Sequence, residues 1–378
     1  MRLRPTILNL TESDFIMNFN EKSKRYCEPF IGGPSQPWMN NVDTTMTTTN
    51  IGGSIFPVTR NETEYSSSYV CSPYNALITY SQDELIKIKN RPLRVCLSLL
   101  LKTIGGSLKA GKINQIVCIN NFLLSTNPYP HWQGSGAQEH LKQCLILFPE
   151  HAVMYRSLNH HTNDALIQHL KTLGFIMAPS RQVYIFDAAL CDYMKRNNTQ
   201  NDRRALAKSN YHVVTHEEIT HEDYLVIVKL YNQLYLEKYS QHNPQFSEKL
   251  IRHWHENKLL TMIGLRDNTG VLQGIVGLFE SDAVITAPLV GYNTALPSQN
   301  ALYRMLIYLI LNYSDTEKRC LNLSSGASEF KLLRGGQPFI EYSAVYIQHL
   351  PRFRQAMWRG VHWLLNSLFV PIVKRYQL

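Results

Sequence analysis

The sequence predicts a mixed α/β protein, of the α+β kind, built from two compact units. Three observations support this prediction: strand-like and helix-like segments alternate, apolar residues are abundant, and a polar stretch divides the chain. The 378 residues exceed what a single hydrophobic core usually organises. With 44% hydrophobic and 11% aromatic residues, the composition excludes an intrinsically disordered protein.

Composition divides the chain into four segments. Residues 1–65, rich in Thr, Asn, Gly and Pro, are expected to form an irregular N-terminal arm. Residues 66–196 and 211–378 are expected to form the two units. Residues 197–210 belong to a polar and basic run without an apolar face, which predicts a linker, although the same basic residues would also suit a contact with RNA.

Periodicity predicts the elements of the first part of the chain. A short helix at 14–24 is expected within the arm. In the first unit, strands are expected at 113–120, 152–156 and 181–187, helices at 82–104, 138–148 and 164–173, and an extended segment at 69–80.

The second unit is expected to begin with an amphipathic helix, because apolar residues recur at three- and four-residue steps from position 224 to position 235. A hairpin turn at 267–270 joins two predicted strands, 259–266 and 271–279. The remaining elements are expected to be helices at 247–257, 298–313 and 352–376 and strands at 283–290, 319–323 and 341–348.

Charge and cysteine usage narrow the partners and the compartment. The formal net charge of +9, from 38 Lys and Arg against 29 Asp and Glu, favours acidic partners such as nucleotide phosphates, carrier proteins or RNA, and DNA is not expected. Seven scattered cysteines form no Cys-x-x-Cys pair, which predicts neither a disulfide framework nor a metal site. Reduced thiols and the lack of a long apolar run indicate a cytoplasmic protein without a spanning segment.

The C-terminal segment at 352–376 allows two interpretations. It places tryptophans and leucines beside arginines and lysines. Such a helix can lie weakly on an anionic membrane surface, or it can pack its apolar stripe against the rest of the protein.

The segment from Asn322 to Gly336 carries the strongest functional signal. An apolar run ends at Leu323 and breaks into a small-residue turn, after which Lys331 and Arg334 follow in a short basic segment. Small residues let a ligand approach the backbone, and the two cations suit an anionic or thioester-bearing substrate. The alternative is an ordinary strand–turn–helix connection with a solvated basic face.

The order of elements in the second unit, together with these residues, resembles the acyl-transfer fold of the GNAT superfamily. Phe330–Lys331 followed by Arg334–Gly336 is similar to the lysine–glycine signature of its FemAB/BioF2-type branch, in which two such units stand in tandem. Pro288–Tyr292 and Leu302–Arg304 stand where that branch places its substrate strand and the following helix. The resemblance covers roughly residues 70–378 and implies two tandem GNAT-like units, each a mixed, largely antiparallel sheet flanked by helices.

The resemblance also implies an activity and a set of site residues. It implies an N-acyltransferase that moves an acyl group, other than an aminoacyl group, from a thioester to a small-molecule amine acceptor. Acyl-CoA is the expected co-substrate, and no tightly bound cofactor is expected. The donor would enter where the strands at 283–290 and 319–323 splay apart. In this catalytic unit the expected donor-binding residues are Gly291, Asn322, Ser324, Ser325, Lys331 and Arg334, and the expected catalytic residues are Glu341, Tyr292 and His242, with Glu329 as a further candidate base.

One departure from the family leaves other donors open. GNAT enzymes usually hold the coenzyme A pyrophosphate in a glycine-bearing loop after the fourth strand, and residues 293–301 lack those glycines. Ser298 is expected to cap the next helix, whose amides could still bind phosphate. The alternatives are an aminoacyl-transfer-RNA-dependent or carrier-protein-dependent transferase of the FemAB type, and a non-catalytic ligand-binding module on the same fold.

Polar residues near the strand ends of the first unit predict an acceptor cleft. Asn121, Arg156 and Arg181 lie where open α/β sheets bind ligands, and the two arginines would meet an anionic group. Turn and cap hydrogen bonding is the alternative for these residues. For Glu341 the alternative is an ion pair with Arg334 at the surface.

Other motifs for common enzyme classes are missing. The sequence contains no GxxxxGK[ST], no GxGxxG and no GxSxG. These absences count against a P-loop ATPase, a dinucleotide-dependent oxidoreductase and an α/β-hydrolase.

Overall fold

Eleven strands of the described residues join into one sheet, and helices cover both of its faces. The computed structural model describes residues 17–85 and 90–371. The strands are β1 (Thr45–Ile51), β2 (Ser54–Asn61), β3 (Ile116–Ile119), β4 (Ala152–Asn159), β5 (Ile176–Phe186), β6 (His212–Val214), β7 (Thr261–Arg266), β8 (Leu272–Glu280), β9 (Val284–Tyr292), β10 (Cys320–Asn322) and β11 (Gln337–Tyr346). The α-helices are α1 (Phe19–Cys27), α2 (Tyr80–Leu85), α3 (Arg91–Ala110), α4 (Ala137–Leu147), α5 (Asp164–Thr172), α6 (Asn197–Lys208), α7 (Asp223–Asn232), α8 (Glu248–Glu256), α9 (Leu302–Glu317), α10 (Ser328–Leu332) and α11 (Arg352–Leu364).

The strand order is β1-β2-β3-β4-β11-β5-β10-β9-β8-β7-β6. Two neighbouring pairs, β3 with β4 and β9 with β10, are parallel, and the other neighbours are antiparallel. The sheet is therefore mixed and largely antiparallel, which confirms the predicted fold class. β1–β5 occupy one half of the order and β6–β10 the other.

β11 is the exception to this division. A strand is expected at 341–348 in the second unit, but β11 lies between β4 and β5 of the first half and begins at Gln337. It pairs with β5 from Gln337 opposite Ile185 to Val345 opposite Ile176. Periodicity predicts a strand but not its neighbours, so this position could not be seen in the sequence. The division of the chain into domains at 66–196 and 211–378 stays a prediction.

Alternate residues of the central strands pack on opposite faces of the sheet, as the pleat requires. Tyr155 on β4 and Ala344 on β11 belong to the core on one face. Met154 and Val345 belong to the core on the other face, where Trp358 of α11 covers them. The central strands are thus buried on both sides, which explains their continuous apolar runs.

The N-terminal segment is not an irregular arm. It contains α1, β1 and β2, and the threonine-rich run forms β1, paired with β2 from Thr45 opposite Arg60 to Ile51 opposite Ser54. Threonine is β-branched and suits a pleated surface, a preference that the composition of the segment concealed. The helix expected at 14–24 begins outside the described residues and is seen as α1.

Residues 69–80 are not extended either. They include the π-helical turn Asn75–Thr79, which leads into α2. The amide of Asn75 donates to Ser72 Oγ at 3.2 Å and that of Tyr74 donates to Asn114 Oδ1 at 3.0 Å, which satisfies the start of the turn. The helix expected at 82–104 is seen as α2 and α3, and residues 86–89 lie outside the described part of the chain.

The predicted basic linker is the helix α6. Thr199 and Asp202 are fully buried on one of its faces. Asp202 accepts hydrogen bonds from Arg304 Nε at 2.7 Å and from Arg334 Nε at 2.5 Å. A buried carboxylate whose partners are more than 100 residues away leaves no local pattern in the sequence. The polar run was therefore predicted to be exposed to solvent. A contact with RNA stays a prediction.

The C-terminal segment is helical in α11 and ends in the π-helical turn Leu365–Phe369, while residues 372–376 lie outside the described part. Trp358 packs inside the protein, whereas Trp363 is 64% exposed and Leu368 is 52% exposed. Membrane-surface contact through the exposed side stays a prediction. None of the helices within the described ranges combines the length and the apolar character that crossing a membrane requires.

Candidate active site

A cavity of about 500 Å³ lies where β9 and β10 part. The two strands pair in parallel only from Cys320 opposite Val284 to Asn322 opposite Thr286. β10 then ends, whereas β9 continues to Tyr292. The structure therefore confirms the splay that the family resemblance implies for these two strands.

The free side of β9 presents backbone donors to this cavity. In an antiparallel pair only alternate amides point to the partner strand, so the others beyond Thr286 face the side that β10 has left. A shift of register opposite Leu278 places Ala287 and Pro288 in an irregular stretch of β9 that lines the cavity. Pro288 has no backbone N–H, so this position leaves no hydrogen-bond donor without a partner. A carbonyl oxygen bound in the cavity could accept from the remaining amides.

The turn after β10 forms the opposite wall. Ser324, Gly326 and Ala327 have left-handed backbone, with φ of 58°, 79° and 49°. Asn322 Oδ1 stabilises this turn by accepting from the Ser324 amide at 2.8 Å. Ser324 and Ser325 line the cavity, and Ser325 is exposed, so the turn also forms a rim.

Lys331 lies beneath the turn and ties it down. Its Nζ donates to the carbonyl oxygens of Leu323 at 2.7 Å, Ser324 at 3.2 Å and Ser325 at 2.8 Å. Burial, together with the nearby charge of Arg181, lowers the pKa of Lys331 to about 7. The three carbonyl oxygens favour a higher pKa, because they match the three N–H donors of a charged amine. Lys331 therefore shapes the turn and titrates close to neutral pH.

The centre of the cavity holds an ion pair between Arg181 and Glu341. Arg181 Nε lies 2.9 Å from Glu341 Oε1, and Nη2 lies 3.3 Å from Oε2, which makes the pair bidentate. Ser180 Oγ lies 3.3 Å from Glu341 Oε1, and Arg181 also donates to Thr126 Oγ1 at 2.9 Å. The Glu341 side chain is only 3% exposed. Its orientation is thus held by two neighbours while it faces the cavity.

Arg156 and Asn121 form a second polar group on the same wall. Arg156 Nη1 donates to Asn121 Oδ1 at 3.1 Å and to the carbonyl of Val70. Asn121 is buried and donates to Thr59 Oγ1 at 2.8 Å. The asparagine therefore positions the arginine from behind, and both line the cavity.

The structure brings most of the predicted site residues to this one cavity. Those that line it are Asn121, Arg156, Arg181, Ser324, Ser325, Lys331 and Glu341. Their predicted roles in binding and catalysis stay predictions.

Five predicted site residues do not line the cavity: Gly291, Tyr292, His242, Asn322 and Arg334. Gly291 packs against α7, where a Cβ would stand 2.6 Å from the backbone nitrogen of Tyr231. Tyr292 packs on Tyr303 with ring centroids 5.9 Å apart. Neither they nor His242 occur among the described residues that line the cavity. Their positions along the chain suggested a place at the site, but the packing of distant segments decides which residues line the cavity.

Arg334 is an internal residue. It is 4% exposed, its Nε binds Asp202, and its guanidinium lies 3.3 Å from the centroid of the Phe330 ring. These partners contradict the prediction that Arg334 binds an anionic group of the donor. They also contradict the alternative that it pairs with Glu341, whose partner is Arg181.

The aromatic wall of the cavity was not predicted from the sequence. Tyr235, Tyr239 and Tyr303 line it, and the rings of Tyr235 and Tyr239 are 6.2 Å apart. The four-residue spacing of tyrosines continues to Tyr239, beyond the last residue of α7, and this continuation was a usable signal. Ser180 and Thr126 gave no such signal, because their contacts with Glu341 and Arg181 join distant parts of the chain.

One group among the described residues offers atoms that metals bind. The ligand atoms of His161, Asp187 and Cys320 all lie within 4.8 Å of one another. His161 Nε2 is already 2.9 Å from Asp187 Oδ2, and burial raises the pKa of the Cys320 thiol to about 12. The prediction that the protein has no metal site stays a prediction.

No family model and no curated protein matches the chain. The chain is similar to the solved structure of FemX, at 11% identity over 58% of this chain and 78% of that chain, with a TM-score of 0.45. It is also similar to the C-terminal domain of a putative lysylphosphatidylglycerol synthetase from Agrobacterium fabrum, at 13% identity over 61% and 78% of the two chains, with a TM-score of 0.43. A tandem GNAT protein from the clavulanic acid biosynthesis pathway matches at 10% identity over 61% and 75%, with a TM-score of 0.35.

Proposed function

We propose that the chain is an acyltransferase that moves an acyl group from a thioester donor, with acyl-CoA as the first candidate, to an amine acceptor. One observation carries the proposal. The predicted donor side, with Ser324 and Ser325, and the predicted acceptor side, with Arg156 and Arg181, line one cavity together with Glu341. Acyl transfer needs such a place, where a carbonyl and an amine can be held in contact.

Each part of the cavity has a step in the transfer. The amine nitrogen attacks the thioester carbonyl, so that a C–N bond forms and the C–S bond breaks. Glu341 accepts the proton of the amine, and Arg181 holds its carboxylate in place. Backbone amides of β9 and the hydroxyl of Ser324 stabilise the negative charge on the carbonyl oxygen. The sulfur leaves as a thiolate past the exposed rim at Ser325 and takes up the proton that Glu341 accepted, which gives the free thiol and restores the carboxylate.

A donor carried by transfer RNA is the second candidate. The predicted Ser298 cap is wrong, since α9 begins at Leu302, and Ala301, with a φ of 55°, occupies the cap position. The amides expected to hold a coenzyme A pyrophosphate at Ser298 therefore begin the short 3-10 turn Ser298–Asn300 and not α9. The positive charge of the chain would suit a nucleic-acid donor.

Thermal unfolding with saturating acetyl-CoA and longer acyl-CoAs tests the donor. A ligand that binds only the folded protein adds about 2.7 kcal/mol of stability at 100 times its Kd. We expect a clear rise in Tm. No rise with any acyl-CoA would contradict a coenzyme A donor, and ribonuclease-sensitive activity with charged transfer RNA would then establish the second candidate.

Thiol release in the presence of a panel of primary amines tests the transfer itself. Glu341→Gln is expected to lower the rate by about a hundredfold or more, because removing a positioned proton acceptor costs factors of this size, while the rise in Tm with acyl-CoA persists. Glu217→Gln is the matched control, because this glutamate is exposed and absent from the cavity lining. Binding of acyl-CoA without thiol release to any amine would instead support a non-catalytic module.

A further inference from the structure

One end of the cavity changes abruptly from polar to apolar. The register of β11 shifts against both β4 and β5 at this end of the cavity, so these two strands do not keep a regular alternation of faces here. Arg156 and Met154 stand two residues apart on β4, and Ser180 and Ala178 stand two residues apart on β5. All four line the cavity. The polar centre around Glu341 is thus continuous with an apolar wall one strand step away.

This apolar wall extends under the C-terminal helix into what we call the apolar arm. Helical residues cover the sheet face here, with Trp358 on α11 opposite Met154 in the same core. The mouth of the arm lies near Ala76, which is exposed in the π-helical turn Asn75–Thr79. The apolar arm is defined by Ala76, Leu77, Met154, Ala178, Trp358 and Leu365.

An apolar space of this kind is costly to leave empty. Protein interiors are normally filled to the density of organic crystals, and an unfilled cavity lined by apolar groups lowers stability. The polar side chains next to the arm do not extend into it and fill it, because Arg181 and Glu341 bind each other. What fits is a ligand with a polar end at this ion pair and an apolar remainder in the arm.

We propose that the apolar arm binds a single unbranched aliphatic chain, whose polar or reacting end lies at Arg181 and Glu341. The whole cavity of about 500 Å³ is within the size range of sites that hold one small ligand, which limits the arm to one chain. The inference rests on the proposed function only in assigning the chain to one of the two substrates, the acyl donor or the amine acceptor.

Isothermal titration calorimetry with sodium alkanoates of four, eight and twelve carbons tests the arm without any transfer. Burying one methylene is worth about 0.8 kcal/mol, so the affinity is expected to rise about fourfold for each added methylene until the arm is full. The heat capacity change of binding should become more negative along the series. An affinity that does not depend on chain length would overturn the proposal.

Two variants locate the chain in the arm. Ala178→Leu fills the inner part, and Ala76→Trp narrows the exposed mouth without changing the core. Each is expected to remove most of the gain in affinity between butanoate and dodecanoate. Ala189→Trp, at an exposed alanine absent from the cavity lining, is the control and should keep the full gain. Wild-type chain-length dependence in folded Ala76→Trp and Ala178→Leu proteins would place the chain elsewhere.

Two further series decide which substrate carries the chain. If the donor carries it, kcat/KM rises from acetyl-CoA to dodecanoyl-CoA with a fixed amine. If the acceptor carries it, kcat/KM rises from butylamine to dodecylamine with acetyl-CoA. Alkanoate binding that responds to the variants, without transfer from any acyl-CoA, would uphold the arm and refute the proposed function. Transfer whose kcat/KM does not depend on chain length in either series would uphold the proposed function and refute the binding of a chain in the arm.

Discussion

Arg334, in the turn that follows α10, forms an ion pair inside the protein with Asp202 of α6. Their side chains are only 5% and 1% exposed, and Asp202 also binds Arg304 on α9. Charges removed from water depend on their partners, because an unpaired buried charge is far more costly than a buried pair. This cluster therefore joins α6, α9 and the turn after α10 around one carboxylate, and it supports the segment that carries Lys331.

Asp202→Ala is expected to lower the free energy of unfolding by about 3–5 kcal/mol, because it leaves Arg334 buried without its partner. Urea denaturation measures this change. Asp192→Ala is the control: its partner Lys195 is 85% exposed, and surface ion pairs contribute little. Similar losses in the two variants would show that Asp202 does not hold the helices together.

Lys331 is expected to make the stability of the protein depend on pH. Its pKa is about 7 in the folded state against an ordinary value of 10.5. Between these two pH values the unfolded chain binds more protons than the folded protein. The free energy of unfolding therefore increases as the pH rises, by up to about 1.4 kcal/mol per pH unit. Below pH 7 the lysine adds no pH dependence.

The measurement is urea denaturation of the wild type and of Lys331→Met from pH 6 to pH 10. The stability of the wild type relative to the variant should be constant up to pH 7 and should then rise. A difference that stays flat over the whole range would mean that the three carbonyl acceptors outweigh burial and keep the amine charged.

At the scale of elements, β9 and α7 approach each other closely at Gly291. A Cβ at this position would lie 2.6 Å from the backbone nitrogen of Tyr231 and 2.7 Å from the backbone carbon of Leu230. Backbone atoms cannot rotate away as a side chain can. The glycine therefore sets how close the helix lies to the strand that lines the cavity.

Gly291→Ala is expected to destabilise the protein by about 1–3 kcal/mol, the usual cost of overpacking. Gly360→Ala is the matched control, since no atom lies within 4 Å of its added Cβ and the residue is exposed in α11. There the change should stabilise by about 0.5–1 kcal/mol, because alanine loses less backbone entropy in a helix. Chemical denaturation of both variants measures the change in the free energy of unfolding, which should have opposite signs. Equal changes in the two variants would contradict the close approach of β9 and α7.

At the scale of the whole molecule, β11 links the two halves of the sheet. It follows the second half in the chain but pairs with β4 and β5 of the first half. The same insertion brings Glu341 next to Arg181, so the cavity exists only when both halves are folded together. Folding and assembly of the site are therefore coupled.

The full chain is expected to unfold in a single cooperative transition, and a fragment of residues 211–378 is not expected to fold alone, because its β11 would lack both neighbours. Circular dichroism of the fragment and urea denaturation of the full chain measure this. A cooperative transition in the isolated fragment would show that the predicted division at 211 is a true domain boundary.

Local sequence patterns were enough to predict the fold class and part of the site. Alternating periodicities indicate a mixed α/β protein, and the resemblance to the GNAT superfamily implies that its sheet is largely antiparallel. The turn at 322–336 points to Ser324, Ser325 and Lys331. These signals are local, because they depend on residues a few positions apart whose backbone preferences act directly. The arginines at strand ends are of the same kind.

Only the tertiary structure decided the partners of the charged residues and the shape of the cavity. It pairs Glu341 with Arg181 and buries Arg334 against Asp202, although the sequence suggested Arg334 as the ion-pair partner of Glu341. It also inserts β11 into the first half and opens the apolar arm beneath α11. Strand order and ion pairing depend on which distant surfaces exclude water together, and a chain's local preferences do not contain that information.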